Sequence, residues 1–592
     1  MTNPTFTNLS AVQSNIVSGV GGTHIERKTI MAINYAKLFN RRVTPQSQPI
    51  PGSNQVRNSN SGYSWQVDDW TRLDRFLILG AEGGTYYIGE RELVKQNHDA
   101  LIRCIKADGV RAVNRIVEIS DAGRAPKNDP AIFALALVVT HGDVPAKAHA
   151  FANLNKVCRI GTHLFHFAEY VNAMRGWGRG LRNAVGHWYV DRGADDLAHQ
   201  AVKYQQRDGW SHADLLRLAH PKAPSIQHDA IFRWMLAGAD SLGEREVKRK
   251  VRGEDRVAKY AAVGELPKLV QAFEQAKRAS IAAEIVKLID EFDLPREAVP
   301  TQWLNEVVVW EALLERMPMT AMIRNLGKMT SLGLLKPFSE AKRLIVRKLR
   351  DETALKRARI HPLAVLVAQK IYAQGHGDKG ALKWSPVTAV VDALDEAFYA
   401  TFQNVEPCGK PVLLALDVSG SMAGSMIAGS CISAREASAA MALITAATEP
   451  EHEIIAFSAA AGGHGGKWGG GESGITRVNL SPRMRLADVI KRVEAIPMGG
   501  TDCALPMLWA ARNKLDVSGF ITYTDSETWA GNIHPAQALR QYRSEFVGDA
   551  KAVVVGMTSN GLTLADPNDR GMMDVVGFDT SAPAVIADFV RE

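Results

Sequence analysis

The stretch Leu413-Leu414-Ala415-Leu416-Asp417-Val418-Ser419-Gly420-Ser421 is a short apolar run that ends in Asp-x-Ser-x-Ser. An apolar run of this length, stopped by Gly, predicts a buried strand. Asp417, Ser419 and Ser421 then fall on the turn beyond its C-terminal end, where ligands bind in open α/β sheets. One carboxylate and two hydroxyls are hard oxygen donors suited to a divalent cation such as Mg²⁺, which keeps waters and an open coordination position. Two later pieces extend the set. Gly499-Gly500-Thr501-Asp502 offers a third hydroxyl, Thr501, on a Gly-rich loop, and Asp525 follows the strand-like Phe520-Ile521-Thr522-Tyr523.

Taken in that order, Asp417, Ser419, Ser421, Thr501 and Asp525 resemble the metal-ion-dependent adhesion site of a von Willebrand factor A domain. Strands are expected near 411–416, 453–457, 520–524, 551–556 and 575–578, alternating with helices near 433–447, 486–495 and 504–514. That pattern predicts a doubly wound α/β domain over residues 411–592. An open metal position in such a domain implies an incoming carboxylate, so the domain is a candidate protein-binding module. Residues 462–471, Gly-Gly-His-Gly-Gly-Lys-Trp-Gly-Gly-Gly, break the phosphate-loop order, because Ala461 stands where its first Gly belongs and Trp468 where its Ser or Thr belongs. They read as a flexible surface insertion.

Upstream, residues 70–370 read as helix almost throughout. Apolar residues recur at three- and four-residue spacing, as in Leu101, Ile102, Ile105 and Ile281, Ile285, Leu288, Ile289. Asp108-Gly109, Arg124-Ala125-Pro126 and Met317-Pro318 punctuate them. Antiparallel helix pairs with no β segments predict an α-solenoid of HEAT type, although no fixed period emerges. Residues 1–60 read as an N-terminal extension with a basic helix over 25–42 and a flexible linker over 44–61. Residues 61–375 form the helical body, and 376–410 connect it to the α/β domain.

Composition bounds the function classes. At 592 residues, with 46% hydrophobic and 22% charged, the chain predicts several ordinary globular cores. No apolar stretch approaches the roughly 20 residues of a membrane span, so no membrane partner is expected. Five scattered cysteines without CxxC spacing, and no apolar N-terminal core, predict a reducing, cytoplasmic setting. The net charge of +7 is uneven. Residues 1–400 carry 55 Lys and Arg against 42 Asp and Glu, whereas residues 401–592 carry 15 against 21. A basic body joined to an acidic metal-site domain points to a polyanion partner for the body.

The cations cluster in two segments. Arg175-Gly176-Trp177-Gly178-Arg179-Gly180-Leu181-Arg182 is followed by Lys203-Tyr204-Gln205-Gln206-Arg207-Asp208-Gly209-Trp210-Ser211-His212. Arg179 and Arg182 share a helix face, as do Lys203 and Arg207. Cations interleaved with aromatics suit phosphate contacts and base stacking, so these four and His212 are candidate RNA contacts. The tryptophans read mainly as core anchors, and His212 reads equally well as part of the start of the helix around Asp214.

These segments sit among longer matches. Thr71-Arg72-Leu73-Asp74-Arg75-Phe76-Leu77, Gly80-Ala81-Glu82-Gly83-Gly84-Thr85-Tyr86-Tyr87, Cys158-Arg159-Ile160-Gly161-Thr162-His163 and Trp210-Ser211-His212-Ala213-Asp214 resemble the Ro autoantigen, or TROVE-domain, family. So do Arg324-Asn325-Leu326-Gly327-Lys328-Met329-Thr330, Ala358-Arg359-Ile360-His361-Pro362 and Gly556-Met557-Thr558-Ser559-Asn560-Gly561. The resemblance implies a ring of helical repeats closed by the A domain. It also implies Y-type small RNAs on a basic outer surface and single-stranded ends of misfolded RNAs in a central hole. His212, Lys203 and Arg207 inherit the Y RNA role, and Arg324 and Lys328 lie in a further matched basic segment. Bacterial relatives imply a link to an exoribonuclease of the polynucleotide phosphorylase kind. No HExxH, Walker or Gly-x-Ser-x-Gly pattern appears, so a non-catalytic, monomeric RNA-binding protein is expected. A metal-dependent protein scaffold and a Mg²⁺-dependent ribonuclease are the rival readings.

Overall fold

The strand Val412–Asp417 is buried on both faces, and this explains why its sequence is continuously apolar rather than alternating. Leu414 and Leu416 pack toward the helix Ala434–Thr448, while Leu413 and Ala415 pack toward the helices Leu505–Arg512 and Pro535–Glu545. Gly519–Thr524 and Lys551–Gly556 repeat the pattern, with Ile521 and Val553 on one face and Phe520 and Ala552 on the other. The computed structural model describes residues 43–592, except 83, 252–253, 261, 378–379, 403–405, 460–473, 482–483 and 580. The helix read over 25–42 and the Gly-rich insertion over 462–471 lie outside the described residues.

The sheet runs Met572–Val576, Lys551–Gly556, Gly519–Thr524, Val412–Asp417, His452–Phe457 and Ile475–Arg477. The first five strands are parallel and Ile475–Arg477 closes the edge antiparallel. This is the doubly wound A-type domain. The C-terminal ends of Val412–Asp417 and Gly519–Thr524 lie side by side, which sets Asp417 and Asp525 at one edge.

The body is a succession of helices that pack on one another locally along the chain, often with a partner two or three elements away. Glu90–Ala122 buries Leu101, Ile105, Ala112, Val113 and Ile116 along one stripe. Asp108 leaves helical geometry inside it (φ −159°, ψ 90°), and its Oδ1 accepts from Arg111 N–H at 2.8 Å to restart the helix. A Cβ on Gly109 would meet the Ala146 methyl at 2.5 Å, so glycine allows the helix Val144–Ala152 to press against this break. No helix among the described residues is long and apolar enough to cross a membrane.

The succession closes on itself. Arg359 Nη1 donates to Asp121 O at 3.3 Å, and His361 Nε2 meets Arg124 O at 3.2 Å. The A domain joins both ends. Arg75 pairs with Asp574 at 2.6 Å, Arg124 with Asp579 at 3.3 Å and Lys370 with Glu436 at 2.5 Å. A ring of helices closed by the A domain is the result.

Two expectations are corrected. The body is not helix throughout, because Arg245–Val251 pairs antiparallel with Glu254–Tyr260, and Gln206–Arg207 with Trp210–Ser211. Asp208-Gly209, with Gly209 at φ +79°, turns the shorter pair, and both segments of the longer pair hold Val among charged residues with no apolar alternation to announce a strand. Nor is 44–61 a linker. Gln46 is fully buried, bonding Asp502 at 2.7 Å and Ile533 O at 2.8 Å. Val56–Arg57 pairs with Tyr63–Gln66, which pairs with Leu562–Thr563 of the A domain. Polar composition suggested solvent, but these side chains satisfy buried backbone and carboxylate groups instead.

Candidate metal site and cationic surfaces

Asp417 ends its strand with both carboxylate oxygens engaged. Oδ1 accepts from Ser419 N–H at 2.9 Å and Oδ2 from Thr524 Oγ1 at 2.7 Å. Ser419 and Ser421 hydroxyls lie 3.1 Å apart, and Ser421 also bonds Asp525. Asp525 Oδ1 accepts from Glu527 N–H at 3.1 Å. Thr501 joins through its backbone: its carbonyl accepts from Trp529 and Ala530 N–H, both at 3.0 Å. Four of the five expected donors therefore share hydrogen bonds, and Thr501 stands on the adjoining loop.

Burial pushes the Asp525 carboxyl up to about 7, with the neighbouring Asp417 charge adding to it. Burial likewise raises Asp417, offset by its bonds to Thr524 and Ser419 and by Arg435. Two buried carboxylates that oppose each other's ionisation are the electrostatic situation a divalent cation relieves. Among the described residues no three His, Cys, Asp or Glu cluster as ligands. The donors are two carboxylates and hydroxyls, the hard-oxygen set of Mg²⁺ rather than the nitrogen and sulfur set of Zn²⁺.

The basic segments come together through aromatic packing. Trp177 stacks on Trp210 with centroids 5.8 Å apart, and Trp210 Nε1 donates to Glu169 at 2.6 Å. Arg179 and Arg182 are exposed at the start of the helix Arg179–Val190, and Arg182 Nε donates to Ala219 O at 3.2 Å. Arg207 is exposed on the hairpin, paired loosely with Asp208 at 3.5 Å, and Lys203 lies half-buried with Nζ 5.5 Å from the Tyr204 ring centroid. Trp188 is a core residue, as expected.

His212 is not a surface residue. It is 3% exposed, its Nδ1 meets the Tyr189 hydroxyl at 2.8 Å, and its ring packs on Phe165. Ser211 and Asp214, not His212, form the capping box of the helix His212–Ala219. Burial lowers His212 to about 4, and burial followed by Arg159 lowers His163 to about 4. Both histidines are neutral in the fold, while the unfolded chain takes up protons near pH 6.5. Stability therefore falls as pH drops from about 6.5 to about 4, by up to ~3 kcal/mol for each histidine. Urea midpoints at pH 7.5 and 4.5 check this, and His212→Gln should show the smaller pH dependence.

Arg324 and Lys328 lie elsewhere, on a cavity of about 1610 Å³ bounded by the inner turns of the helical succession. Lys127, Arg159, Arg296 and Arg359 line it too, against the carboxylates Asp121 and Asp129. Arg324 and Arg159 are exposed, and Lys328 Nζ donates to Asn305 Oδ1 at 2.9 Å. Lys127, Arg159, Arg296 and Arg359 escaped the sequence reading because they stand in four segments far apart in the chain.

Residues 56–371 match the family model of the TROVE domain, and residues 411–590 match that of the Ro60 vWA domain. This chain belongs to the Ro60 family of TROVE-domain proteins. It is 38% identical over 561 residues to the RNA-binding protein RO60 of Deinococcus radiodurans, covering 94% of this chain and 99% of that relative. The Caenorhabditis elegans RNA-binding protein RO60 is 36% identical over 614 residues, covering 93% and 92%. The crystal structure of the Deinococcus radiodurans RO (RSR) protein superposes with a TM-score of 0.64 at 37% identity, over 88% of this chain and 99% of that one. Both regions of the family architecture, the helical body and the A domain, are thus present here.

Proposed function

We propose that this chain is a non-catalytic RNA-binding protein of the cytoplasm, acting in RNA quality control. The observation that carries the reading is the cavity with six Lys and Arg against two carboxylates, Lys127, Arg159, Arg296, Arg324, Lys328 and Arg359 facing Asp121 and Asp129. A concave wall of that charge attracts a phosphate backbone from any sequence. Single-stranded ends of misfolded RNA enter the cavity, while helical RNA of the Y type lies on the outer cations Arg179, Arg182, Lys203 and Arg207. Recognition is by shape and strandedness, as A-form RNA favours. His212 supports the Y RNA surface from beneath, through Tyr189 and Phe165, and does not touch RNA. An exoribonuclease of the polynucleotide phosphorylase kind is the partner to which such a protein delivers RNA.

Asp417, Ser419, Ser421, Thr501 and Asp525 would hold Mg²⁺, and the bound cation would supply an open position for a partner's carboxylate. At 100 times its dissociation constant, Mg²⁺ raises unfolding free energy by about 2.7 kcal/mol, and Asp417→Ala abolishes the gain. Thermal melts with and without Mg²⁺ check it.

RNA binding is tested by anisotropy of a hairpin with a single-stranded 3′ tail between 50 and 300 mM salt. A steep, linear loss of log affinity with log salt is expected. No binding at 100 mM salt sinks the reading and favours the protein scaffold. Degradation of the probe that requires Mg²⁺ and disappears in Asp417→Ala favours the ribonuclease.

A further inference from the structure

A site that captures an outside carboxylate has to be open, yet this one is covered. All five donors are buried, Asp417 completely. The cover comes partly from the helical body, whose residues 84–89 reach the A domain at Gly424 and Ser425. Thr85 Oγ1 accepts from Ile88 N–H at 3.0 Å and Tyr87 N–H at 3.3 Å, and Thr85 N–H donates to Ile88 O at 2.8 Å. Gly84 (φ +66°) has the Ile88 carbonyl 2.5 Å from where a Cβ would stand, so the turn closes this tightly only with glycine.

Two neighbouring tyrosines leave that turn in different directions. Tyr86 N–H donates to Ser425 Oγ at 3.0 Å, and its ring lies against Gly424, where a Cβ would meet it at 2.5 Å. The Tyr87 ring stands edge-on to it, centroids 5.0 Å apart. The Tyr87 phenol faces Ser421, within reach of the Asp525 charge, and accepts from Asn60 Nδ2. Across the site, the Trp529 ring rests on Gly500 beside Thr501. Tyr86 is 60% exposed and Trp529 37%, so the rim is aromatic and faces solvent.

We propose that the turn Thr85-Tyr86-Tyr87-Ile88 is a built-in occupant of the metal-site mouth, and that an outside carboxylate enters by displacing Tyr87. The proposal rests on the metal reading above. Its physical basis is a competition at Ser421. The Tyr87 hydroxyl faces Ser421 in a weak, exchangeable polar contact, whereas a carboxylate on the cation gains a far stronger ionic contact. Displacement carries a consequence for the ring, since this turn is anchored on both domains. Gly80 O accepts from Ser559 Oγ at 2.6 Å, and Glu82 pairs with Lys127 of the cavity wall. Carboxylate capture therefore loosens a joint that reaches the cationic cavity, and Tyr87 is its positioning residue.

The test uses the full chain, Mn²⁺ as the paramagnetic cation and acetate as the carboxylate. Free Mn²⁺ is counted by electron paramagnetic resonance, and acetate entry is followed by the water proton relaxation of bound Mn²⁺. Mn²⁺ affinity is expected to stay within about threefold in Tyr87→Phe and Tyr87→Ala, and acetate to bind about tenfold more tightly in Tyr87→Ala. Tyr87→Phe should fall between, having lost the hydroxyl and kept the ring. In Mn²⁺-loaded wild type, saturating acetate should raise hydrogen exchange at the amides of Tyr86, Tyr87 and Ile88. Equal acetate affinity in all three proteins, with Mn²⁺ bound, overturns the occupant proposal and leaves the metal site standing. Absence of Mn²⁺ uptake by all three overturns the metal reading and this proposal with it. If Tyr87→Ala fails to fold, Tyr87→Phe and the wild-type exchange pattern decide between the same outcomes.

Discussion

Replacing Arg179, Arg182, Lys203 and Arg207 together with alanine is expected to weaken binding of a structured RNA by about 10²- to 10³-fold at 100 mM salt. Each lost phosphate contact removes roughly 0.7 to 0.9 from the slope of log affinity against log salt, so four flatten it by about three. The four side chains are available for this. Arg179 and Arg207 are exposed, Arg182 spends one N–H on Ala219 O, and the Arg207 pair with Asp208 at 3.5 Å is of the weak surface kind. The change leaves the Trp177–Trp210 stack and the buried His212 in place, so folding is not the variable. Arg324→Ala with Lys328→Ala should instead weaken only a probe carrying a single-stranded tail, since both line the inner cavity. Anisotropy titrations of tailed and blunt RNAs separate the two surfaces. Unchanged binding in the fourfold variant removes the outer surface from the RNA interface.

Arg75→Ala carries the largest stability effect. Its guanidinium is wholly buried, with Nη2 donating to both Asp574 oxygens at 2.6 and 2.9 Å and Nη1 to Asn560 O and Leu562 O at 2.8 and 2.7 Å. This one side chain of the helix Asp69–Leu79 ties the body to the edge of the A-domain sheet. Truncation leaves the Asp574 carboxylate with the Thr563 hydroxyl and takes the donor from two carbonyls, at a cost of about 3–5 kcal/mol. Arg75→Lys should recover little, because an ammonium cannot reach a carboxylate and two carbonyls in one planar fork. Urea unfolding followed by Trp fluorescence measures the loss, and a loss below about 1 kcal/mol would show that water replaces the fork.

Much of the A domain was legible in the sequence. Val412–Asp417 and Gly519–Thr524 are buried on both faces, so their apolar runs announce central strands without any tertiary information. Asp417 and Asp525 each follow such a run in the sequence, and it is the order of strands in the sheet that sets the two strand ends side by side. The helical body was legible through its 3.6-residue stripes and its Gly, Pro and Asp boundaries, as at Asp108. The hairpin Arg245–Val251 with Glu254–Tyr260 was not legible, because charged residues stand in both alternating sets of positions and no apolar period marks it.

The remainder was decided by contacts between distant segments. His212 sits among cations in the chain, but Tyr189 and Phe165 enclose it from other helices and strip it of solvent. Gln46 looks like linker until the A domain offers it Asp502 and Thr528. Arg159, Arg296 and Arg359 have no common pattern in the sequence, and become one cationic wall only because the helical succession returns to Asp121 and Arg124. Tyr87 covers Ser421 for the same reason. Sequence by itself determined what each segment is, since period, caps and turn residues act over a few bonds. Which segments meet was left to tertiary packing, where burial of apolar faces and pairing of buried charges select one closure of the ring.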